Sequence, residues 1–349
     1  MSIRVLVVDD SALIREVLSS TLSREGDIEV VGAAEDPLVA RQKIKELNPD
    51  VVTLDIEMPN MNGLEFLSKL MRLHPLPVVM VSTLTQKGAS ETMLALELGA
   101  VDFVAKPGHD LAGGLEGFGA ELRTKVRAAA QSDVRGRAMR GPVKKGGALN
   151  LADAHNNSVI AIGASTGGVD AVRAVLSALP SNSPPVVVAQ HMPPEFTKRF
   201  ADRLNEQVAL DVKEAEERMP LKPGRAIIAR GGRHLRVESR GGALKCRLGE
   251  DENVSGHRPS VDVLFESVAR AVGDKAVGAI LTGMGKDGAR GLKLMREAGA
   301  YTVGQRKGSA LVYGMPRAAA EMGAVVDEVD VEEIAARLVS GLAGEKSAA

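Results

Sequence analysis

The sequence predicts an α/β protein of two doubly wound parallel-sheet domains joined by a linker. Three observations lead there. Short runs of Val, Ile and Leu recur, each closed by a polar residue and followed by a stretch of helical period, which is the pattern of βα units in a parallel sheet. This rhythm breaks once, across residues 123–156, where Gly, Ala, Arg and Lys dominate, and then resumes. The length of 349 residues suits two domains, each with its own core.

In the first domain, expected over residues 1–122, the apolar β-branched run 3–8 reads as a buried strand and ends in Asp9-Asp10. An amphipathic helix follows from 11 to about 24. Strand 28–33 and helix 37–47 come next, then strand 51–54, which ends in Asp55. A loop over 57–63 leads to a helix at 64–74. Strand 77–81 ends in Ser82, helix 89–98 follows, and strand 101–105 ends in Lys106-Pro107. Residues 116–130 have the period of a last helix. In such sheets sites form outside the carboxyl ends of the strands, and Asp9, Asp10, Asp55, Ser82 and Lys106 all fall there. Carboxylates held close together repel, so a hard divalent cation such as Mg²⁺ is their natural neutraliser. A cation, a lysine and a hydroxyl around one carboxylate are the parts needed to transfer a phosphoryl group onto it.

These residues, over about 3–122, resemble the receiver domain of bacterial response regulators. The resemblance implies a flavodoxin-like fold and Asp55 as acceptor of a phosphoryl group from a histidine kinase. It implies Asp9, Asp10 and Asp55 around Mg²⁺, Ser82 and Phe103 as the switch pair, and Lys106 on the phosphoryl group. Pro107 would carry a cis bond.

The stretch 123–156 reads as a flexible basic connector. Net charge is −1, aromatics are 2% of the chain and Trp is absent, so no stacking platform for nucleic acid is expected, and DNA binding through the basic connector is the lesser alternative. The lone Cys246 permits no internal disulfide and sits in a strand-like run, as a passive thiol. With no signal peptide and no apolar run of spanning length, a cytoplasmic protein without membrane insertion is expected.

The second domain, expected over 157–346, opens with strand 159–162, the turn Gly163-Ala-Ser165-Thr-Gly167 and a helix. A Ser on such a turn points its hydroxyl out of the sheet's carboxyl edge, with glycines on both sides to admit a substrate. Strand 184–189 ends in Gln190-His191, ahead of a helix from 195. Strand 276–281 leads into Thr-Gly-Met284-Gly-Lys-Asp287-Gly and another helix. Between them lie β-rich pieces at 226–229 and 234–237 and a helix capped at Ser260; strand 301–303 and a helix near 316 close the chain. Ser165, His191 and Asp287 thus each follow a strand end and are able to converge on one edge as nucleophile, base and orienting acid. His234 and His257 rival His191 as the base, and Asp262 rivals Asp287, whose bland role would be to cap the next helix. No cluster has metal-ligand spacing such as H-E-x-x-H.

The segments 163–168, 190–194, 257–262, 281–288 and 314–317 together resemble the chemotaxis protein-glutamate methylesterases, and with the receiver the resemblance covers nearly the whole chain. It implies a Rossmann-like catalytic domain with Ser165 as nucleophile, His191 as base and Asp287 as orienting acid. Thr166, Met284 and His257 would form the oxyanion hole and pocket. The implied substrate is a γ-glutamyl methyl ester on methylated chemoreceptors, with glutamine deamidation as a second activity and no cofactor for the esterase step. The alternative is a non-catalytic output domain that binds a ligand or partner at its glycine loops.

Overall fold

The computed structural model describes residues 2–58, 61–83, 85–106, 111–134 and 158–343, and the chain forms two compact units, residues 1–141 and 142–349. In the first unit the strands β1 (Ile3–Val8), β2 (Ile28–Ala34), β3 (Val51–Asp55), β4 (Val78–Ser82) and β5 (Asp102–Ala105) form one parallel sheet in the order β2-β1-β3-β4-β5. β3 and β4 are buried along their whole length, as strands covered by helices on both faces must be. The helices are α1 (Ala12–Leu22), α2 (Pro37–Leu47), α3 (Gly63–Leu73), α4 (Gln86–Glu97) and α5 (Leu111–Ala130). Their starts are chemically marked: Ser11, Asp36, Asn62 and Thr85 each accept a backbone N–H of the first turn.

α5 runs on to Ala130 and buries Val126, Ala128 and Ala129, so residues 123–130 of the expected linker are helical. The remainder of that linker, from 135 onward, lies outside the described residues, as do Pro107 with its expected cis bond, His109, His155 and the last residues of the expected catalytic domain.

The second unit holds a seven-stranded sheet. Its strands are β6 (Val159–Ala164), β7 (Val186–Gln190), β8 (Asp211–Glu214), β9 (Arg225–Ile228), β12 (Ala276–Ile280), β13 (Tyr301–Gln305) and β14 (Asp327–Val329). All neighbouring pairs are parallel, in the order β14-β13-β12-β6-β7-β9-β8. The chain winds outward from β6 through β7 and then returns to β12 on the other side, so the topological switch point lies between β6 and β12. Its helices are α6 (Gly168–Ala178), α7 (Pro194–Gln207), α8 (Val261–Val272), α9 (Ala289–Glu297), α10 (Met315–Glu321) and α11 (Val331–Leu342). The β-rich middle piece departs from the parallel pattern. β10 (His234–Arg240) and β11 (Ala243–Gly249) pair antiparallel in a separate hairpin, and the buried side of β11 carries Leu244 and Cys246. Two-residue periodicity with Lys245 and Arg247 outward is what a half-solvated antiparallel strand requires.

Candidate active site

Ser165 follows β6 at the switch point. Its N–H donates to the Thr282 carbonyl (3.0 Å), and Gly168 at the start of α6 donates back to the Ser165 carbonyl (2.7 Å). Gly167 takes a left-handed φ of 76°, the bend that frees the serine side chain from the helix. Across the crevice Gly283 packs so closely that a Cβ there would lie 2.7 Å from the Ser165 Cβ. Only glycine allows that approach.

His191 is anchored beside it: its N–H donates to the Ala164 carbonyl at 3.1 Å. The ring's Nδ1 is 3.1 Å from Ser165 Oγ and its Nε2 is 2.8 Å from Asp287 Oδ2. This is the reverse of the common arrangement in serine hydrolases, where Nε2 meets the hydroxyl, but either nitrogen can take the proton. Gln190 ties the two loops together, donating from Nε2 to the carbonyls of Ser165 (2.9 Å) and His191 (3.2 Å). Its role was not legible in sequence, where an amide beside a histidine carries no signal.

Asp287 is buried and saturated with donors. Oδ2 also accepts the Val261 N–H (2.8 Å), while Oδ1 accepts Ser260 Oγ (2.8 Å) and the Asp262 N–H (3.1 Å). These are the first N–H groups of α8, so the helix N-terminus faces the carboxylate. Burial pushes the Asp287 carboxyl up, but the His191 ring and these backbone donors outweigh it and hold it at about 2. Asp262 makes the reciprocal bond: its Oδ1 accepts Gly288 N–H (3.0 Å) and Gly291 N–H (2.7 Å) at the start of α9. The helix after Asp287 is therefore capped by Asp262, and Asp287 serves the preceding one.

The rival histidines separate. His234 is wholly buried and bonded to the backbone at both nitrogens, accepting Ser260 N–H and reaching the Glu252 carbonyl. His257 lies face to face on His191, with centroids 3.7 Å apart and planes 7° apart. His191, His257 and Asp287 each offer an atom within 4.8 Å of the others. Rings stacked in this way send their lone pairs parallel and not toward one point, so the set suits proton transfer better than a metal. Thr166 is buried beside the serine, its carbonyl accepting Thr282 Oγ1 (3.0 Å). Met284 sits half-buried in the loop after β12, and among the described residues no backbone hydrogen bond engages its N–H.

In the first unit Asp9, Asp10 and Asp55 each offer an oxygen within 4.8 Å of the others. Lys106 Nζ bridges Asp9 Oδ2 and Asp55 Oδ2 at 2.8 Å each. Burial raises the Asp55 carboxyl to about 6, against the pull of Lys106 and with help from Asp9. Ser82 is buried and accepts Thr92 Oγ1 of α4 at 2.9 Å. Phe103 is buried on β5 with Lys125 Nζ 4.8 Å from its ring centre.

Residues 5–112 match the response regulator receiver domain family, and residues 160–338 match the CheB methylesterase family. The chain is 55% identical to the protein-glutamate methylesterase/protein-glutamine glutaminase 1 of Caulobacter vibrioides over 95% of this chain and 96% of that one. With the namesake of Xanthomonas campestris pv. campestris it shares 49% identity over 97% of each. The crystal structure of the Thermotoga maritima CheB methylesterase catalytic domain superposes with a TM-score of 0.52 at 35% identity, covering 53% of this chain and 99% of that one. The chain therefore belongs to the chemotaxis protein-glutamate methylesterase family, with a receiver domain ahead of a CheB methylesterase domain.

Proposed function

We propose that this chain is a phosphorylation-controlled serine hydrolase that removes methyl esters from glutamates of chemoreceptors and deamidates specific receptor glutamines. The observation that carries this is the hydrogen-bonded series Ser165–His191–Asp287 at the switch point of the second sheet. Ser165 Oγ attacks the ester carbonyl while His191 Nδ1 takes its proton. The resulting oxyanion is held by backbone donors, for which the N–H groups of Thr166 and Met284 are our candidates. Methoxide leaves with the proton from Nδ1, as methanol. Water then attacks the acyl-serine, losing a proton to the same nitrogen, and the glutamate carboxylate departs as Ser165 recovers its proton. Asp287 stays ionised throughout, orienting the ring and balancing the imidazolium charge. With glutamine the leaving group is ammonia and the steps are the same. A non-catalytic output domain is not favoured, because a purely binding pocket has no need of this proton path.

Asp55 is the proposed phosphoryl acceptor, with a histidine kinase as donor. The three carboxylates, each offering an oxygen within 4.8 Å of the others, form a hard-oxygen set that fits Mg²⁺. Asp9, Asp10 and Asp55 would hold the ion, which when bound supplies positive charge for the incoming phosphoryl group. We assign Lys106 to contact that group, and Ser82 and Phe103 to respond to it. No helix among the described residues is long and apolar enough to cross a membrane, and we place the protein in the cytoplasm with its partners. The test is methanol release from methylated receptor membranes by the wild type and by Ser165→Ala, each with and without a small phosphodonor. Equal release by a folded Ser165→Ala chain would overturn the reading.

A further inference from the structure

His191 has both edges occupied, Nδ1 by Ser165 and Nε2 by Asp287, and one face covered by His257. The covering ring is held firmly. Val254 and His257 exchange two backbone hydrogen bonds, of 3.0 and 3.1 Å, around the tight turn at Ser255 and Gly256. Arg258 next to it donates to the carbonyls of Glu250 (2.7 Å) and Asp251 (2.9 Å), tying the loop back on itself. A parallel stack at van der Waals distance on the base is therefore built into the loop geometry, which a pocket wall would not require.

We infer that His257 is a positioning residue for the base: its ring holds the His191 ring by the face, keeps Nδ1 on Ser165, and stabilises the imidazolium formed when Ser165 attacks. A flat π-system over a cation supplies the attraction. This rests on the hydrolase reading above. Loss of His257 is then felt in turnover and not in substrate binding, since the ring acts on a charge that exists only during the reaction.

The experiment compares wild type, His257→Ala and His257→Phe as full chains, by methanol release from methylated receptor membranes and by the ¹⁵N NMR shifts of the His191 ring at one pH, which report its tautomer. His257→Ala is expected to lower kcat about tenfold or more with KM within about threefold, and His257→Phe, which keeps the stack, to recover kcat to within about threefold of the wild type. The His191 ring should hold one tautomer, bare at Nδ1, in wild type and His257→Phe, and mix tautomers in His257→Ala. A change confined to KM in His257→Ala, a Phe variant no better than Ala, or the same His191 tautomer in all three would each overturn the inference. If the wild type released no methanol, the hydrolase reading would fail while the tautomers still judged the stack.

Discussion

Two carboxylates, Asp287 and Asp262, show how position and not residue type assigns a role. Each accepts hydrogen bonds at the start of the helix that the other's segment leads into, but only Asp287 also meets His191. Asp287→Asn keeps the shape and loses the charge, so kcat should fall by about 10³–10⁴-fold with the fold intact, as for triad carboxylates generally. Asp262→Ala removes the oxygen that accepts two N–H groups at the start of α9 and should cost about 1–2 kcal/mol of stability. A thermal melt run beside the methanol assay separates them; similar kinetics for the two variants would show that neither carboxylate orients the base. Asp55 carries a different prediction. Its folded carboxyl is raised from 3.8 to about 6, so the native state holds its proton more tightly than the unfolded chain does. Stability present below about pH 4 is therefore lost as pH rises through about 6, on the order of 2–3 kcal/mol. Mg²⁺ should raise the melting temperature of the receiver more at pH 7 than at pH 5, and Asp55→Asn should raise it at pH 7 without added ion. An Mg²⁺ effect independent of pH would place the ion elsewhere. At this scale the meeting of Ser165, His191 and Asp287 could be anticipated from the sequence, because Ser165 and His191 directly follow strands and Asp287 lies in the loop after one. The choice between Asp287 and Asp262, and the parts of Gln190 and His257, depended on which loops fold against one another, which linear spacing does not encode.

Among the elements, α8 links the fold to the chemistry. Its first turn supplies the Ser260 hydroxyl and the N–H groups of Val261 and Asp262 to Asp287. β6 passes directly beneath it. A Cβ on Gly163 would lie 2.1 Å from Val261 Cγ1 and 3.1 Å from the Phe265 ring. Gly163→Ala should thus push the N-terminus of α8 away, lowering stability by about 1–3 kcal/mol and turnover about tenfold or more. Adding Val261→Ala should recover part of both losses, because it vacates the space the new methyl needs. A double variant no better than Gly163→Ala in melting temperature and kcat would show that α8 placement does not limit the site. The central strands were readable in the sequence because burial on both faces demands unbroken apolar runs. β8 (Asp-Val-Lys-Glu) and β14 (Asp-Glu-Val) were not. They are edge strands whose outward residues face water, so they lack that signature, and charge at an edge discourages further pairing.

At the scale of the whole molecule, Asp55 and Ser165 lie in different compact units, so a phosphoryl group on Asp55 would have to act on the serine from one unit to the other. Ser82 ends β4 and bonds Thr92 of α4, while Phe103 packs on β5. An acyl phosphate on Asp55, drawing in Lys106 and Ser82, would therefore remodel the surface made by these strands and α4. Control then needs only a surface that favours an inhibited arrangement of the chain when Asp55 is unmodified and loses that preference afterwards. About 1.4 kcal/mol of difference shifts such an equilibrium tenfold. Among the described residues, one large buried cluster of the second unit is drawn from residues 159–325 of that unit. A fragment starting at Ser158 is thus expected to fold, and to release methanol several-fold faster than the unphosphorylated full chain. Phosphorylated full-length protein should match the fragment, and exceed it on receptor membranes if the receiver also helps to dock substrate. Three samples assayed on one methylated receptor preparation decide this: full chain, full chain with phosphodonor and Mg²⁺, and fragment. A folded fragment no faster than the unphosphorylated chain would rule out relief of inhibition. Any activation by phosphodonor would then have to come from recruitment of the receptor or from a direct change at Ser165, His191 and Asp287.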